Sequence, residues 1–91
     1  MAKVVVTMKI MPQSPEIDLS SIEDKISFVI RSFEGSSISF EKQPIGFGLV
    51  ALILKFSIDE AKGGTDEIEN KLKEISGVQS VEVTMVSRAL G

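Results

Sequence analysis

The sequence has no cysteine and no histidine. That excludes disulfides, thiol nucleophiles, Cys/His zinc sites, imidazole acid–base catalysis and Ser-His-Asp triads. Tryptophan and tyrosine are also absent, so five phenylalanines are the only aromatics. RNA recognition on a small sheet needs stacking aromatics beside phosphate-contacting cations, and the outward strand positions Val5, Thr7, Lys9, Ala51 and Ile53 include none. There is no basic excess: 10 Lys and Arg stand against 13 Asp and Glu, a net charge of −3. This disfavours a general phosphate-backbone binder. No apolar run reaches the ~18 residues of a membrane span. The N-terminus shows no signal-peptide apolar region with a cleavage site, so the expected location is cytoplasmic. With 91 residues, a single domain over 1–91 with one modest core is expected.

The net charge is local. Residues 59–74 hold Asp59, Glu60, Asp66, Glu67, Glu69 and Glu74 against Lys62, Lys71 and Lys73, six acids to three bases. The rest of the chain is therefore neutral, and this segment is a candidate solvated helix with its entry loop. Thr65 is the candidate N-cap, followed by carboxylates in the first turn, where the positive helix end favours them. Ile68, Leu72 and Ile75 form the apolar stripe, and Gly77 is the expected stop.

Hydrophobic periodicity assigns the remaining elements. Residues 3–11 alternate, with Val4, Val6, Met8 and Ile10 on one face, as in a strand closed by Pro12 and Pro15. Over residues 18–33 the period lengthens to three and four through Leu19, Ile22, Ile26, Val29 or Ile30, and Phe33, the pattern of an amphipathic helix. Ser20 with Glu23 suits a capping box and Asp18 is a competing cap. Gly35 is the expected left-handed stop. Ser37–Lys42 alternate as a second strand, and Gln43-Pro44-Ile45-Gly46 reads as a break. Phe47–Ile58 is a long strand, apolar on both faces as far as Lys55. Val78–Val86 alternates again, with Val81, Val83 and Met85 placed on one face.

The order strand, helix, strand, strand, helix, strand predicts an α+β ferredoxin-like sandwich. Its four-stranded antiparallel sheet should run 4-1-3-2, with both helices on one face. Val6, Met8, Ile26, Leu52, Leu54, Leu72 and Ile75 are its expected core.

This fold hosts many functions, so function must come from particular residues. The carboxylates lie on helix faces and loops and suggest no acid–base pair. Gly63-Gly64-Thr65 precedes a helix but lacks a phosphate-binding fingerprint, and Asp66 and Glu67 already occupy the positive end. Two places remain. Phe47 stands between Gly46 and Gly48 at a strand entrance. Either the ring projects outward, or it caps the core and the glycines allow a bulge. Arg88, preceded by Ser87, is a single cation near the end of the chain; it is either a contact residue or an ordinary solvated end.

Gln43-Pro44-Ile45-Gly46-Phe47-Gly48-Leu49-Val50-Ala51-Leu52 is similar to the PIAFGLKAL segment of the elongation factor 1-beta family in its short archaeal form. Gly46 stands for the usual Ala and Val50 for the usual Lys. Met11-Pro12, Asp18-Leu19, Gly63-Gly64-Thr65-Asp66 and Gly77-Val78-Gln79-Ser80-Val81-Glu82-Val83 carry the resemblance over essentially the whole chain.

The resemblance implies a guanine-nucleotide exchange factor for elongation factor 1-alpha, with no cofactor and no covalent chemistry. It implies that the partner's GTPase domain is engaged by opposite ends of the module. Phe47, with Gly46 and Gly48, would enter a pocket on that domain, and Arg88, beside Ser87, would reach toward its magnesium and γ-phosphate region. Where eukaryotic members have Lys, Arg88 offers a planar fork instead of a point charge. A second expectation from another class is a small-molecule-binding regulatory domain of the amino-acid-sensing type, paired through Leu49, Ala51 and Ile53. An acylphosphatase-like enzyme would need an arginine-bearing anion loop near the N-terminus, which the sequence lacks.

Overall fold

The computed structural model describes residues 3–59 and 65–89. Six elements follow in the expected order: β1 (Lys3–Pro12), α1 (Leu19–Ser32), β2 (Ser36–Gly46), β3 (Leu49–Asp59), α2 (Asp66–Lys73) and β4 (Val78–Ala89). The strands form one antiparallel sheet in the order β2-β3-β1-β4. This is the predicted ferredoxin-like arrangement, with β1 and β3 central and β2 and β4 as edges.

Register explains the core. Val4, Val6, Met8 and Ile10 of β1 lie opposite Ile58, Phe56, Leu54 and Leu52 of β3. Cross-strand partners share a face, so two alternating apolar sets make one continuous surface. Ile22, Ile26 and Ile30 of α1 and Ile68 and Leu72 of α2 close over it. Val6, Met8, Ile26, Leu52, Leu54 and Leu72 are fully buried. Ile75 lies beyond the end of α2 and only packs against the margin of this core.

Asp18 caps α1, its carboxylate accepting a hydrogen bond from the Ser20 amide at 3.0 Å. Ser20 is therefore inside the helix and forms no capping box. At the other end the left-handed residue is Glu34, with φ 64°, and not Gly35. The Gly35 amide bonds the Ile30 carbonyl and the Glu34 amide bonds the Arg31 carbonyl, the paired bonds of a Schellman motif. Gly35 is needed for space: a Cβ there would run into the Ile30 Cγ2 methyl.

α2 stops at Lys73, before Gly77, which has φ 96°. The Gly77 carbonyl accepts from the Gln13 amide at 2.8 Å, tying the β1–α1 loop to the start of β4.

The expected break at Gln43–Gly46 is not one. β2 continues through these residues, with Gln43 opposite Ala51, Pro44 opposite Val50 and Gly46 opposite Leu49. β2 is an edge strand, where proline is tolerated. β4 departs from simple alternation at Thr84: Val83 faces Met8 but Met85 faces Thr7. The bulge turns Met85 away from the face of Val81 and Val83, and it is exposed. Thr84 fills the irregularity by donating its hydroxyl to the Thr7 carbonyl.

Candidate functional site

The two sequence-predicted places sit at opposite ends of the sheet. The last residue of β1 paired to β3 is Ile10, opposite Leu52. Beyond that row the sheet splits: β1 goes on pairing with β4 as far as Pro12 and Val78, and β2 and β3 go on pairing as far as Gly46 and Leu49 as a separate two-stranded arm. The arm closes through two residues, Phe47 and Gly48. Both have positive φ, 55° and 76°, as a type I′ hairpin turn requires at its central positions.

Phe47 is wholly exposed. The ring projects from the tip and caps no part of the core. Gly46 and Gly48 flank it, both exposed and both with positive φ. A Cβ on Gly46 would meet nothing within 4 Å, and one on Gly48 would touch the Pro15 ring at ordinary contact distance, 3.6 Å. Neither glycine is required for room, so each serves backbone geometry. Phe47, the one non-glycine in this left-handed run, bears a backbone cost of roughly 1–2 kcal/mol.

Two residues join this tip that sequence reasoning had not counted. Ile45 is the extra residue between Pro44 and Gly46, where the register shifts, and it is 38% exposed. A proline followed by an apolar residue and a glycine was the available signal for that bulge. Pro15, also exposed, flanks Gly48 from the β1–α1 loop; no local pattern marks such a tertiary contact.

Arg88 and Ser87 are exposed on β4, opposite Val4 and Val5. The Leu52 row and the Ile58 row are six residue steps apart along β3, and the arm extends further. At about 3.3 Å per residue Phe47 and Arg88 are about 30 Å apart, within a molecule 42 Å long. No residue of one group can touch the other, so both can act together only on a partner large enough to span them.

The face of the sheet away from the helices fits the pairing alternative poorly. Ala51 is fully buried, and Leu49 and Ile53 are partly so. Around Ile53 the cross-strand neighbours are Glu41 and Lys9, with Glu82 opposite Lys9 and Lys55 one row on. Charged rows of this kind must be desolvated before two such faces can meet. Among the described residues no polar or charged side chain is buried, and no group of three or more acidic residues could hold a metal. Thr65 holds the N-cap position of α2, but its backbone is helical and its side chain makes no capping bond; the hydroxyl donates instead to the Glu69 carboxylate, while Gly63 and Gly64 lie outside the described residues.

Comparison with known proteins decides among these possibilities. The family described as EF-1 guanine nucleotide exchange domain matches residues 5–89. The chain belongs to this family. Elongation factor 1-beta of Methanosphaera stadtmanae is 42% identical over 92 residues, covering 99% of this chain and all of that protein. The Methanothermobacter thermautotrophicus protein of the same name is 41% identical over 91 residues, with the same coverage. That of Pyrococcus abyssi is 42% identical over 88 residues, covering 93% of each.

Solved structures bear on the fold of the exchange domain alone. The de novo designed protein Foldit4 superposes with a TM-score of 0.63 at 16% identity, covering 98% of both chains. The C-terminal domain of MgtC from Mycobacterium tuberculosis gives 0.61 at 14%, covering 97% of this chain and 88% of that one. The role of the exchange domain is guanine nucleotide exchange in translation elongation, which implies a GTPase partner. Exchange replaces one bound nucleotide by another without making or breaking a covalent bond. No helix among the described residues is long and apolar enough to cross a membrane.

Proposed function

We propose that residues 1–91 act as one exchange module on elongation factor 1-alpha in the cytoplasm, with Phe47 and Arg88 as its two working ends and no covalent step of its own. The full exposure of Phe47 at the end of a two-stranded arm carries the reading. A phenyl ring held entirely in water gains by entering an apolar pocket, and nothing within the fold competes for it. Gly46 and Gly48 allow the turn that presents it, and Ile45 and Pro15 widen the apolar contact around it.

At the far end Arg88, with Ser87 beside it, approaches the partner's nucleotide site. A guanidinium there competes with magnesium for the surrounding carboxylate and phosphate oxygens. Its fork also pairs with such oxygens at two points. Loss of the metal weakens the hold on the β-phosphate, and GDP leaves. The separation of the two groups suits this division of labour: the arm fixes the orientation and the distant cation acts where the nucleotide lies.

Binding of the module and binding of GDP then oppose each other, and linkage makes the opposition mutual. The test is to measure the affinity of the module for the partner with and without saturating GDP and magnesium. Tighter binding to the nucleotide-free form, by about 5- to 150-fold, supports the reading. Equal affinity for the two forms refutes it, because a ligand without differential affinity cannot shift an equilibrium.

A further inference from the structure

Three successive residues at the tip of the arm, Gly46, Phe47 and Gly48, have φ of 112°, 55° and 76°. Asparagine, aspartate and glycine take such angles with least penalty, and Asn-Gly is the preferred pair for a two-residue turn of this sense. A bulky aromatic in the first central position is an outlier. Elsewhere a ring can offset such strain by packing, but Phe47 is 100% exposed and packs against nothing. The fold therefore gains nothing from this ring and bears its backbone penalty.

We propose that the left-handed backbone of Phe47 is itself part of the recognition element. The turn holds the ring in its binding direction before the partner arrives, at the expense of the stability of the free chain. The inference rests on the exchange reading above and adds a positioning role for the turn geometry. Gly46 and Gly48 are then positioning residues: they keep the left-handed run accessible. The arm is also limited to side-chain recognition at its tip. The outer edge of β2 is interrupted there by Pro44, which lacks an amide hydrogen, and by the bulge at Ile45, so a partner strand finds no regular ladder to extend.

Three variants separate the contribution of the backbone from that of the ring. Phe47→Asn installs the favoured turn pair and removes the ring. Its melting temperature is expected to rise by about 4–8 °C, while half-maximal stimulation of GDP release should need at least ~30-fold more protein. Phe47→Ala removes the ring but keeps an unfavourable residue at φ 55°, and should melt close to the unsubstituted chain. Gly48→Ala keeps the ring and has room for its methyl at 3.6 Å from Pro15, but disfavours φ 76°. It should melt about 4–8 °C lower and need roughly 3- to 10-fold more protein for half-maximal release, while the release rate at saturation is retained.

A Phe47→Asn variant no more stable than the unsubstituted chain overturns the strain on which the proposal stands. A folded Gly48→Ala variant as potent as the unsubstituted chain overturns the role of the turn, even with the ring shown essential. Failure of the exchange reading looks different: the unsubstituted chain itself would not accelerate release, and the recognition role would fall with it whatever the melting temperatures.

Discussion

Replacing Phe47 by Ala removes a ring that touches nothing in the free chain, so its effect isolates what the ring does for the complex. A phenylalanine buried at an interface covers about 150–250 Å². At about 25 cal/mol per Å², and after subtracting what a methyl group still buries, roughly 3–4 kcal/mol is lost with it. Ordering the side chain on binding offsets about 0.5–1.5 kcal/mol of that. The net loss is about 2–3 kcal/mol, or roughly 30- to 150-fold in affinity. The assay is release of a fluorescent GDP analogue from the partner, titrated with the unsubstituted chain and the variant. The concentration for half-maximal stimulation should rise by that factor while the melting temperature stays within about 2 °C, since no intramolecular contact is removed. A half-maximal concentration within threefold of the unsubstituted value would refute the reasoning, because an aromatic anchor seated in a pocket cannot be so nearly neutral.

Arg88→Ala should lower the saturating release rate more than it shifts the half-maximal concentration; equal losses in both would remove its separate electrostatic step. Leu54 is fully buried between β1 and β2 partners, and Leu54→Ala should destabilise the chain by about 2–5 kcal/mol; chemical denaturation showing less than 1 kcal/mol would contradict its place in the core. Asp18→Ala deletes the 3.0 Å bond to the Ser20 amide and should lower stability by about 1 kcal/mol without changing exchange. A variant with unaltered stability would mean that the cap contributes nothing.

Much of the fold was legible because two periodicities rarely conflict in this chain. Val6, Met8 and Ile10 alternate and Ile22 and Ile26 are four apart, and all are buried; of Val29 and Ile30, both compatible with the helical period, it is Ile30 that is buried. The misreadings have a common origin in tertiary context. Pro44 reads locally as a breaker, but on an edge strand it interrupts no ladder that a neighbour needs, and β2 continues to Gly46. Met85 was placed with Val81 and Val83 because alternation assumes one residue per step, and the bulge at Thr84 adds one. Gly35 was expected to be left-handed, yet the approach of Ile30 is what requires it, one residue after Glu34 takes the left-handed position.

The site was legible in part. Residue type singled out Phe47 and Arg88, but the direction of the ring depends on where β2 ends. A strand that stops at Lys42 leaves Phe47 free to turn inward. A strand that reaches Gly46 forces a two-residue turn and puts the ring at its tip. Their separation, which the resemblance implies, follows from strand direction: β3 and β4 both run antiparallel to β1, which places the start of β3 and the end of β4 at opposite ends of the sheet. Pro15 could not be found from sequence, since its contact with the Gly48 position joins a loop and a hairpin more than thirty residues apart.

The most direct test of the whole account is the rate at which labelled GDP leaves purified elongation factor 1-alpha, followed against increasing concentrations of this chain with excess unlabelled nucleotide. The rate should climb with concentration to a plateau well above spontaneous release. A rate that stays at the spontaneous value through micromolar concentrations of folded chain would contradict the account.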